Sequence, residues 1–585
     1  MSARRFDGGA AALSLFAVLA GAKLLTLIGR DVPLPVWTPL AYFWQDALVA
    51  VLFGIVEATV KRAWVTWTLY GAIVFYAAIN VPLVRTLSTP ITWVMTRAVR
   101  GTLGNSIQHH LTAANLGLIS LVLLMAIALP RFLKPLSRRQ TMVALGLAII
   151  LIGTGPIATA QLDTVGLHRN ALVALVTSGF SRVTPSFAWK DWRASPSGPS
   201  TREDLSRFHG AAANRNVVMI LLESTGARYL RPYGAAEDPM PHLTQLAASS
   251  ILFEHAYAVY PESIKGLFSV LCSRYPAFDT RAELYARVTT PAIAQVLARA
   301  GYRTALFHSG RFMYLGMDAI LQNRGYERLE DAGAISGNFN SSFGVDEPAT
   351  VKRMLGWIDS LSKGQRFFLT YVPIAGHHPY DSPEPRPFPG REEVDRYRNA
   401  LHFGDEALGQ FLAGLKSRHL DTNTLFVIFG DHGEAFGQHE GNYAHTLFVY
   451  DENVHVPYLI AMPGQIREPI RIRRTASLLD TAPTILDLLG IAAPADYQGK
   501  SLLYPQEQMA LFYTDYSLGF LGVRDGSWKM IYEIESGRSK LFNLRHDADE
   551  RCDLAKKFPE RVATYRDRLL RWSAAQKSWL TQRAR

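Results

Sequence analysis

Five apolar stretches crowd into the first 165 positions of this 585-residue chain. Each runs to about 20 residues, long enough to cross a bilayer. They lie near Gly9–Ile28, Trp37–Val60, Trp64–Leu83, Leu111–Pro130 and Thr141–Ala160. Nothing else constrains the fold as strongly, because lipid offers no partner for backbone groups and such segments must therefore be helices. Arg4 and Arg5 precede the first stretch and no convincing small-residue cleavage site follows it, so it reads as a retained anchor, not a signal peptide. The loops divide the basic residues unevenly. Arg4, Arg5, Lys61, Arg62, Arg131, Lys134, Arg138 and Arg139 fall on one side, whereas Arg30, Arg85, Arg97 and Arg100 fall on the other. The positive-inside bias puts the N-terminus in the cytoplasm and, after five crossings, everything beyond residue 165 outside.

Residues 1–165 thus form a transmembrane domain of five helices. Asp46 and Glu57 lie in the second span and must face protein, water or head groups, since charge in lipid is costly. A carrier would use such residues, but the spans show no internal repeat and the soluble part is larger than the membrane part. Residues 166–213 read as a connector. Leu167–Phe180 has helix-like apolar spacing suited to the interface, and a Ser/Pro-rich linker follows at 186–204. The net charge of +11 is spread along the chain without a dense basic stretch among aromatics. It fits a membrane or phosphate partner and excludes nucleic-acid binding as a reading. Cys272 and Cys552 are the only cysteines and cannot make a disulfide framework, and Cys272 sits in an apolar run as a small buried hydrophobe.

From Asn216 the pattern changes to short apolar runs, NVVMILLES, RTALFHS, RFFLTYV and TLFVIFGD, separated by helical stretches such as PAIAQVLARAG and DRYRNALHFGDEALGQFLAGL. That alternation predicts an α/β domain over 214–500, with helices around a largely parallel sheet. Ligands gather beyond the carboxyl ends of strands in such sheets. Two of those ends carry chemistry, Glu223 after the first run and Asp431–His432 after the fourth. A Glu at a strand end is commonly a cap and an Asp-His-Gly turn commonly a capped turn. Together, carboxylate and imidazole suit Zn²⁺ or Mn²⁺, with Mg²⁺ a further candidate, better than Ca²⁺.

The order Glu223, Ser263 before an apolar helix, His308, GHHPY, then GDHGEAFGQHEGNYAH resembles the alkaline phosphatase/sulfatase superfamily. With five spans ahead, the chain resembles most its lipoteichoic acid synthase branch, the phosphoglycerol and phosphoethanolamine transferases. RTASLLDTAPTILDLLGI and KLFNLRHDADERCDLAKKFPE are similar to the sulfatase C-terminal portion, which implies a small antiparallel sheet in a C-terminal subdomain over 501–585. The resemblance implies that Glu223, Ser263, Asp431 and His432 hold a metal ion. It further implies that His377 and His445 line the phosphate site, that His308 and Arg311 bind the head group, and that His378 and His439 join them. Lys265 would lie close enough to touch a phosphoryl oxygen. Structural roles for His377, His378 and Arg311 stay open at this point.

Laid on the sulfatase signature Cys/Ser-x-Pro-x-Arg, Ser263 takes the first position, but Lys265 replaces the proline and Leu267 the arginine. Conversion to formylglycine depends on those two positions, so the expectation is an ordinary serine hydroxyl, activated by a bound metal. A helix after Gly266 would add partial positive charge facing the phosphate. The implied activity is head-group transfer from phosphatidylglycerol or phosphatidylethanolamine, through a phosphoserine, to a glycan or glycolipid hydroxyl outside the bacterial cytoplasmic membrane. A hydrolase with the same site, either sulfatase or phosphodiesterase, is the alternative.

Overall fold

The structure is a computed structural model that describes residues 10–98, 111–186, 203–337, 344–505 and 509–583. Arg4, Arg5, Arg100, the Arg97 side chain and most of the 186–204 linker lie outside the described residues. Five helices are long and apolar enough to span a membrane: α1 (Ala10–Leu27), α2 (Thr38–Thr59), α3 (Ala63–Leu87), α4 (Ala113–Phe132) and α5 (Arg138–Gln161). Leu15, Val18, Phe53, Tyr70, Val74 and Val122 form the bundle core.

The two acidic residues of the second span have structural partners. Glu57 accepts from the Ala11 and Ala12 N–H groups at 3.4 and 3.1 Å, which satisfies donors that the first turn of α1 cannot bond internally. Asp46 pairs with Lys23 at 2.6 Å and accepts from Asn170 Nδ2 at 2.7 Å. Lys23 also donates to the carbonyls of Tyr42 and His168. Asn170 in turn caps the short helix α6 (Ala171–Thr177), within the stretch expected at the interface. A buried charge is tolerated when it is paired and hydrogen-bonded. Here the pair locks the connector into the bundle through Asn170 and the His168 carbonyl.

The soluble part is built on a nine-stranded sheet. Its strands are β1 (Asn216–Leu222), β2 (Ser250–Tyr257), β3 (Arg303–His308), β4 (Arg328–Glu330), β5 (Phe367–Val372) and β6 (Thr424–Gly430), with β9 (His455–Val456), β10 (Tyr458–Ala461) and β11 (Ile470–Ser477) further on. The ribbon β7 (Ala435–Phe436) and β8 (Tyr443–Ala444) stands apart as a separate two-stranded sheet. The order is β11-β2-β10-β6-β1-β5-β3-β4, with β9 on β2. The pairs β6–β1–β5–β3–β4 are all parallel, and β10 runs antiparallel to both neighbours. Every residue of β1 and β6 is buried, as parallel strands between helices must be. Val217, Met219 and Leu221 face one core with helix α7 (Ser263–Cys272). Val218, Ile220 and Leu222 face the other, with α8 (Glu347–Asp359) and α9 (Glu393–Ser417). Cys272 is buried in the first core and Cys552 is exposed, and neither is bridged.

A four-stranded antiparallel meander follows, β12 (Met509–Thr514), β13 (Phe520–Asp525), β14 (Trp528–Glu533) and β15 (Ser539–Asn543). Tyr565, Leu569 and Trp572 of α10 (Pro559–Arg583) pack on it. The soluble part docks on one end of the bundle: Arg30 pairs with Glu440 at 3.1 Å, Thr89 Oγ1 meets Ser517 Oγ at 2.5 Å, and Lys540 and Arg538 pair with Asp163. The loops carrying Lys61–Arg62 and Arg131–Arg139 lie at the opposite end, because successive spans alternate direction.

Candidate active site

Chemistry collects at the carboxyl ends of four parallel strands. Glu223 follows β1, Asp431 and His432 follow β6, His308 ends β3, and the GHHPY loop follows β5. Gly376 lets that loop pass over β1: a Cβ there would sit 2.1 Å from the Glu223 carbonyl oxygen. Ser224 turns the chain after Glu223 with φ +50°, a conformation costly for a non-glycine residue. The turn is held by Ser224 N–H on Asp431 Oδ1 (3.0 Å), Ser224 Oγ on Glu223 Oε1 (3.0 Å) and Tyr397 OH on the Ser224 carbonyl (2.6 Å).

Ser263 enters from the N-terminus of α7. Its hydroxyl lies 2.8 Å from Glu223 Oε2, 2.7 Å from Asp431 Oδ2 and 3.4 Å from His432 Nε2. The Nδ1 of His432 faces the Gly433 carbonyl at 3.1 Å, so it carries the proton and Nε2 turns a lone pair toward the carboxylates. Glu223, Asp431 and His432 therefore converge as acceptors, with ligand atoms within 4.8 Å of one another. The one hydroxyl proton of Ser263 cannot satisfy two carboxylates. Burial, and then the Asp431 charge, push the Glu223 carboxyl upward to about 8. This donor set fits a divalent cation bound by oxygen and imidazole.

His377 and His445 flank the cluster. The His445 ring stacks on His432 at 4.2 Å between centroids and lies 6.0 Å from His377. His377 donates through Nδ1 to the His378 carbonyl at 2.6 Å. His445 donates through Nδ1 to Glu434 Oε2 at 2.8 Å, while Tyr380 OH holds the other Glu434 oxygen at 2.6 Å. Both rings thereby keep Nε2 as an acceptor. Burial lowers His377 and pushes His445 down to about 3, so both are neutral in the free protein. Burial also pushes Glu434 up to about 7. Sequence reasoning passed over Glu434 and Tyr380, although Glu434 stands two residues after His432 and Tyr380 closes GHHPY. Glu434→Gln should lower kcat by about 10–100-fold, because it loosens the ring that Glu434 orients. Steady-state kinetics check this, with KM expected to stay within about twofold.

His308 is buried, with Nδ1 on the Val372 carbonyl (2.8 Å) and its ring stacked on Phe312; burial pushes it down to about 4, and the charges of Asp431 and His377 reach it. His378 sits edge-on to Tyr380. Arg311 is half-buried on the loop after β3, with no ion pair among the described residues.

Three expectations need correction. Lys265 does not face the site: two residues along a helix is about 200° around its axis, and its Nζ pairs with Asp515 at 2.6 Å, beneath the Tyr260 ring. Lys265→Met should leave Asp515 buried beside Tyr260 without its cation. The expected loss is about 3–5 kcal/mol of stability, read as a lowered thermal unfolding midpoint in detergent. His439 is also turned away, with Nδ1 on Glu452 (2.6 Å), Nε2 on the Glu550 carbonyl (3.2 Å) and its ring stacked on Tyr450; it ties the β7–β8 ribbon to the segment after β15. Finally, the helix begins at Ser263 itself, and Glu262 caps it by accepting from the Ile264 and Lys265 N–H groups at 3.0 and 3.4 Å. Those donors are occupied and do not face a phosphate.

Residues 215–491 match the Sulfatase family, and 439–570 match the N-sulphoglucosamine sulphohydrolase C-terminal family. With its nine-stranded sheet, the strand-end Glu223, Asp431 and His432, and Ser263 at a helix N-terminus, the soluble part carries a domain of the Sulfatase family over residues 215–491. Within it, the chain is similar to the lipoteichoic acid synthase branch. It is 25% identical over 326 residues to the lipoteichoic acid synthase-like protein YvgJ of Bacillus subtilis, covering 52% of this chain and 52% of that one. Human arylsulfatase K is 28% identical over 252 residues, covering 38% of this chain and 45% of that one. The matches thus span about half the length of these curated relatives. The crystal structure of the lipoteichoic acid synthase LtaP from Listeria monocytogenes superposes with TM-score 0.50 and 18% identity, over 64% of this chain and 94% of that one. A 2-O GAG sulfatase gives TM-score 0.51 and 18% identity, over 62% and 92%. The chain thus joins five helices long and apolar enough to span a membrane to a Sulfatase-family domain.

Proposed function

We propose that the protein transfers a phosphoglycerol or phosphoethanolamine head group from a phospholipid to an extracytoplasmic glycan or glycolipid hydroxyl, through a phosphoserine at Ser263. One observation carries this reading: the loop between His432 and His445, and the segment that anchors the Ser263 helix through Lys265, both rest against the ends of the spanning helices. Glu440, five residues before His445, pairs with Arg30, and Ser517, two residues past the Asp515 that holds Lys265, bonds Thr89. A nucleophile held at that height meets lipid head groups before it meets soluble esters. The loop asymmetry in basic residues supports a cytoplasmic N-terminus in the inner membrane.

In the first step Ser263 Oγ attacks phosphorus and its proton passes to the Glu223 or Asp431 oxygen it already faces. As the phosphodiester anion binds, it raises the proton affinity of His445 or His377, which takes up a solvent proton on Nε2; the bond to the diacylglycerol oxygen then breaks, and that oxygen leaves with this proton. In the second step an acceptor hydroxyl gives its proton to that histidine and attacks phosphorus. The Ser263–phosphorus bond breaks, and Ser263 recovers its proton from the carboxylate. Glu223, Asp431 and His432 would hold a divalent ion, Zn²⁺ or Mn²⁺ with Mg²⁺ as a further candidate; it supplies a lowered hydroxyl pKa and neutralises charge on the transferring oxygens.

Peptide mapping of protein purified with its native lipids tests the reading. An adduct of phosphoglycerol or phosphoethanolamine mass on Ser263 supports it and names the donor. Formylglycine at 263 overturns it in favour of a sulfatase, the activity named for several relatives.

A further inference from the structure

Large apolar side chains are exposed beside the active-site loops as well as on the helix flanks. Trp93 is 46% exposed, Val176 59%, Phe180 70% and Met313 66%. Trp93 lies in the segment between α3 and α4, and Val176 and Phe180 lie on and just after α6. Met313 belongs to the soluble domain, on the loop after β3. They come from three separate stretches of sequence, yet the structure joins them. The Trp93 N–H donates to Ser178 Oγ at 2.8 Å, between Val176 and Phe180. The turn Tyr314–Gly316, next to Met313, packs against the short helix Met95–Ala98, two residues past Trp93.

The same segment leads inward to the nucleophile. Thr92 Oγ1 donates to the Tyr516 carbonyl at 3.0 Å, and Arg182, two residues past Phe180, donates to the Asp515 and Ser517 carbonyls at 2.6 Å. The Asp515 carboxylate holds Lys265 on the first turn of the Ser263 helix, and Tyr314 lies close enough to Glu223 and Glu262 for both charges to bear on it. The apolar group is therefore continuous with the lipid-facing spans on one side and with the active-site wall on the other. Apolar side chains at the end of a bundle, beginning with a tryptophan, match the chemistry of the membrane–water boundary. A soluble partner would leave them against lipid.

We propose that Trp93, Val176, Phe180 and Met313 form an apron that sits in the outer-leaflet interface and seats the acyl chains of a bilayer phospholipid, so that its head group reaches Ser263. The inference rests on the lipid-donor reading for its consequence but not for its geometry. Two measurements separate them.

The first is positional. A nitroxide on Met313→Cys, in a Cys552→Ser background, is read in vesicles of phosphatidylglycerol and phosphatidylethanolamine. Relaxation by oxygen exceeding relaxation by a water-soluble nickel chelate supports an inserted apron. The reverse overturns it, whatever the enzyme's substrate. The second is kinetic. In Trp93→Ser/Met313→Ser, turnover of vesicle phospholipid should fall by about tenfold or more, as expected when two apolar contacts with a lipid chain are lost. Turnover of bis(p-nitrophenyl) phosphate, which has no chains to seat, should stay within about twofold of wild type. Equal loss on both substrates overturns the inference as local damage, and loss on neither overturns it while sparing the transferase reading. A wild type that turns over no phospholipid sinks the transferase reading, and the nitroxide result then decides the apron alone.

Discussion

Ser263→Ala should lower turnover by on the order of 10⁴–10⁶-fold, the loss seen when a covalent nucleophile is removed and only binding and electrostatics remain. The expectation rests on geometry: the hydroxyl is the one donor at 2.7–2.8 Å from both buried carboxylates. The measurement is kcat on vesicle phospholipid together with the mass of the 263 peptide, which should lose any adduct. The fold should persist, since α7 is capped by Glu262 and anchored by Ile264, Leu267, Phe268 and Leu271 in the core. A variant retaining more than about a hundredth of wild-type kcat would exclude Ser263 as the covalent nucleophile.

The second large effect is on metal removal. Stripping divalent ions with a chelator should abolish activity and make stability fall as pH rises. Burial and Asp431 raise the Glu223 carboxyl to about 8 in the metal-free fold, well above its ordinary value of 4.5. Between those values the folded protein holds a proton that the unfolded chain has released. Stability from that proton is complete below about pH 4.5 and is lost as pH rises through about 8. Glu262 and Glu434, each pushed up to about 7 by burial, act in the same direction. The metal-free unfolding midpoint should therefore drop between pH 6 and pH 8. Saturating Zn²⁺ or Mn²⁺ should restore it, adding about 2.7 kcal/mol at a hundredfold excess over Kd. A pH-independent midpoint, unmoved by either ion, would argue against Glu223, Asp431 and His432 as ligands. Loss of both metal response and activity in Asp431→Asn would instead support Asp431 as one of the ligands.

Much of this architecture is legible in the chain itself. The five spans fall within a few residues of their expected limits, because a membrane helix is dictated by a run of apolar residues and needs no distant partner. The runs that became β1, β3, β5 and β6 were recognisable because strands buried on both faces are apolar at nearly every position. Their ends locate Glu223, Asp431 and His432. The strands beyond β6, namely β10, β2 and β11, were not singled out: β2 and β11 mix polar residues such as Glu254 and Arg471 into the run, and β10, apolar throughout, is only four residues long.

Side-chain direction was a different matter. The residues that the order of motifs brought forward divide into those that converge and those that do not, and sequence distance did not separate them. Lys265, two positions from Ser263, is turned away by the helical rotation and satisfied by Asp515, 250 residues later. His439, inside the same motif as His432, is taken up by Glu452 and Glu550. Glu434, which carried no expectation, orients His445. The chain by itself determined the membrane part, the sheet and which strand ends carry the acidic and imidazole side chains, because each is set by local polarity and period. Only the tertiary structure decided which charged groups face the nucleophile and which neutralise each other inside the fold. A buried charge must find its partner wherever packing places one, and that pairing crosses the sequence freely.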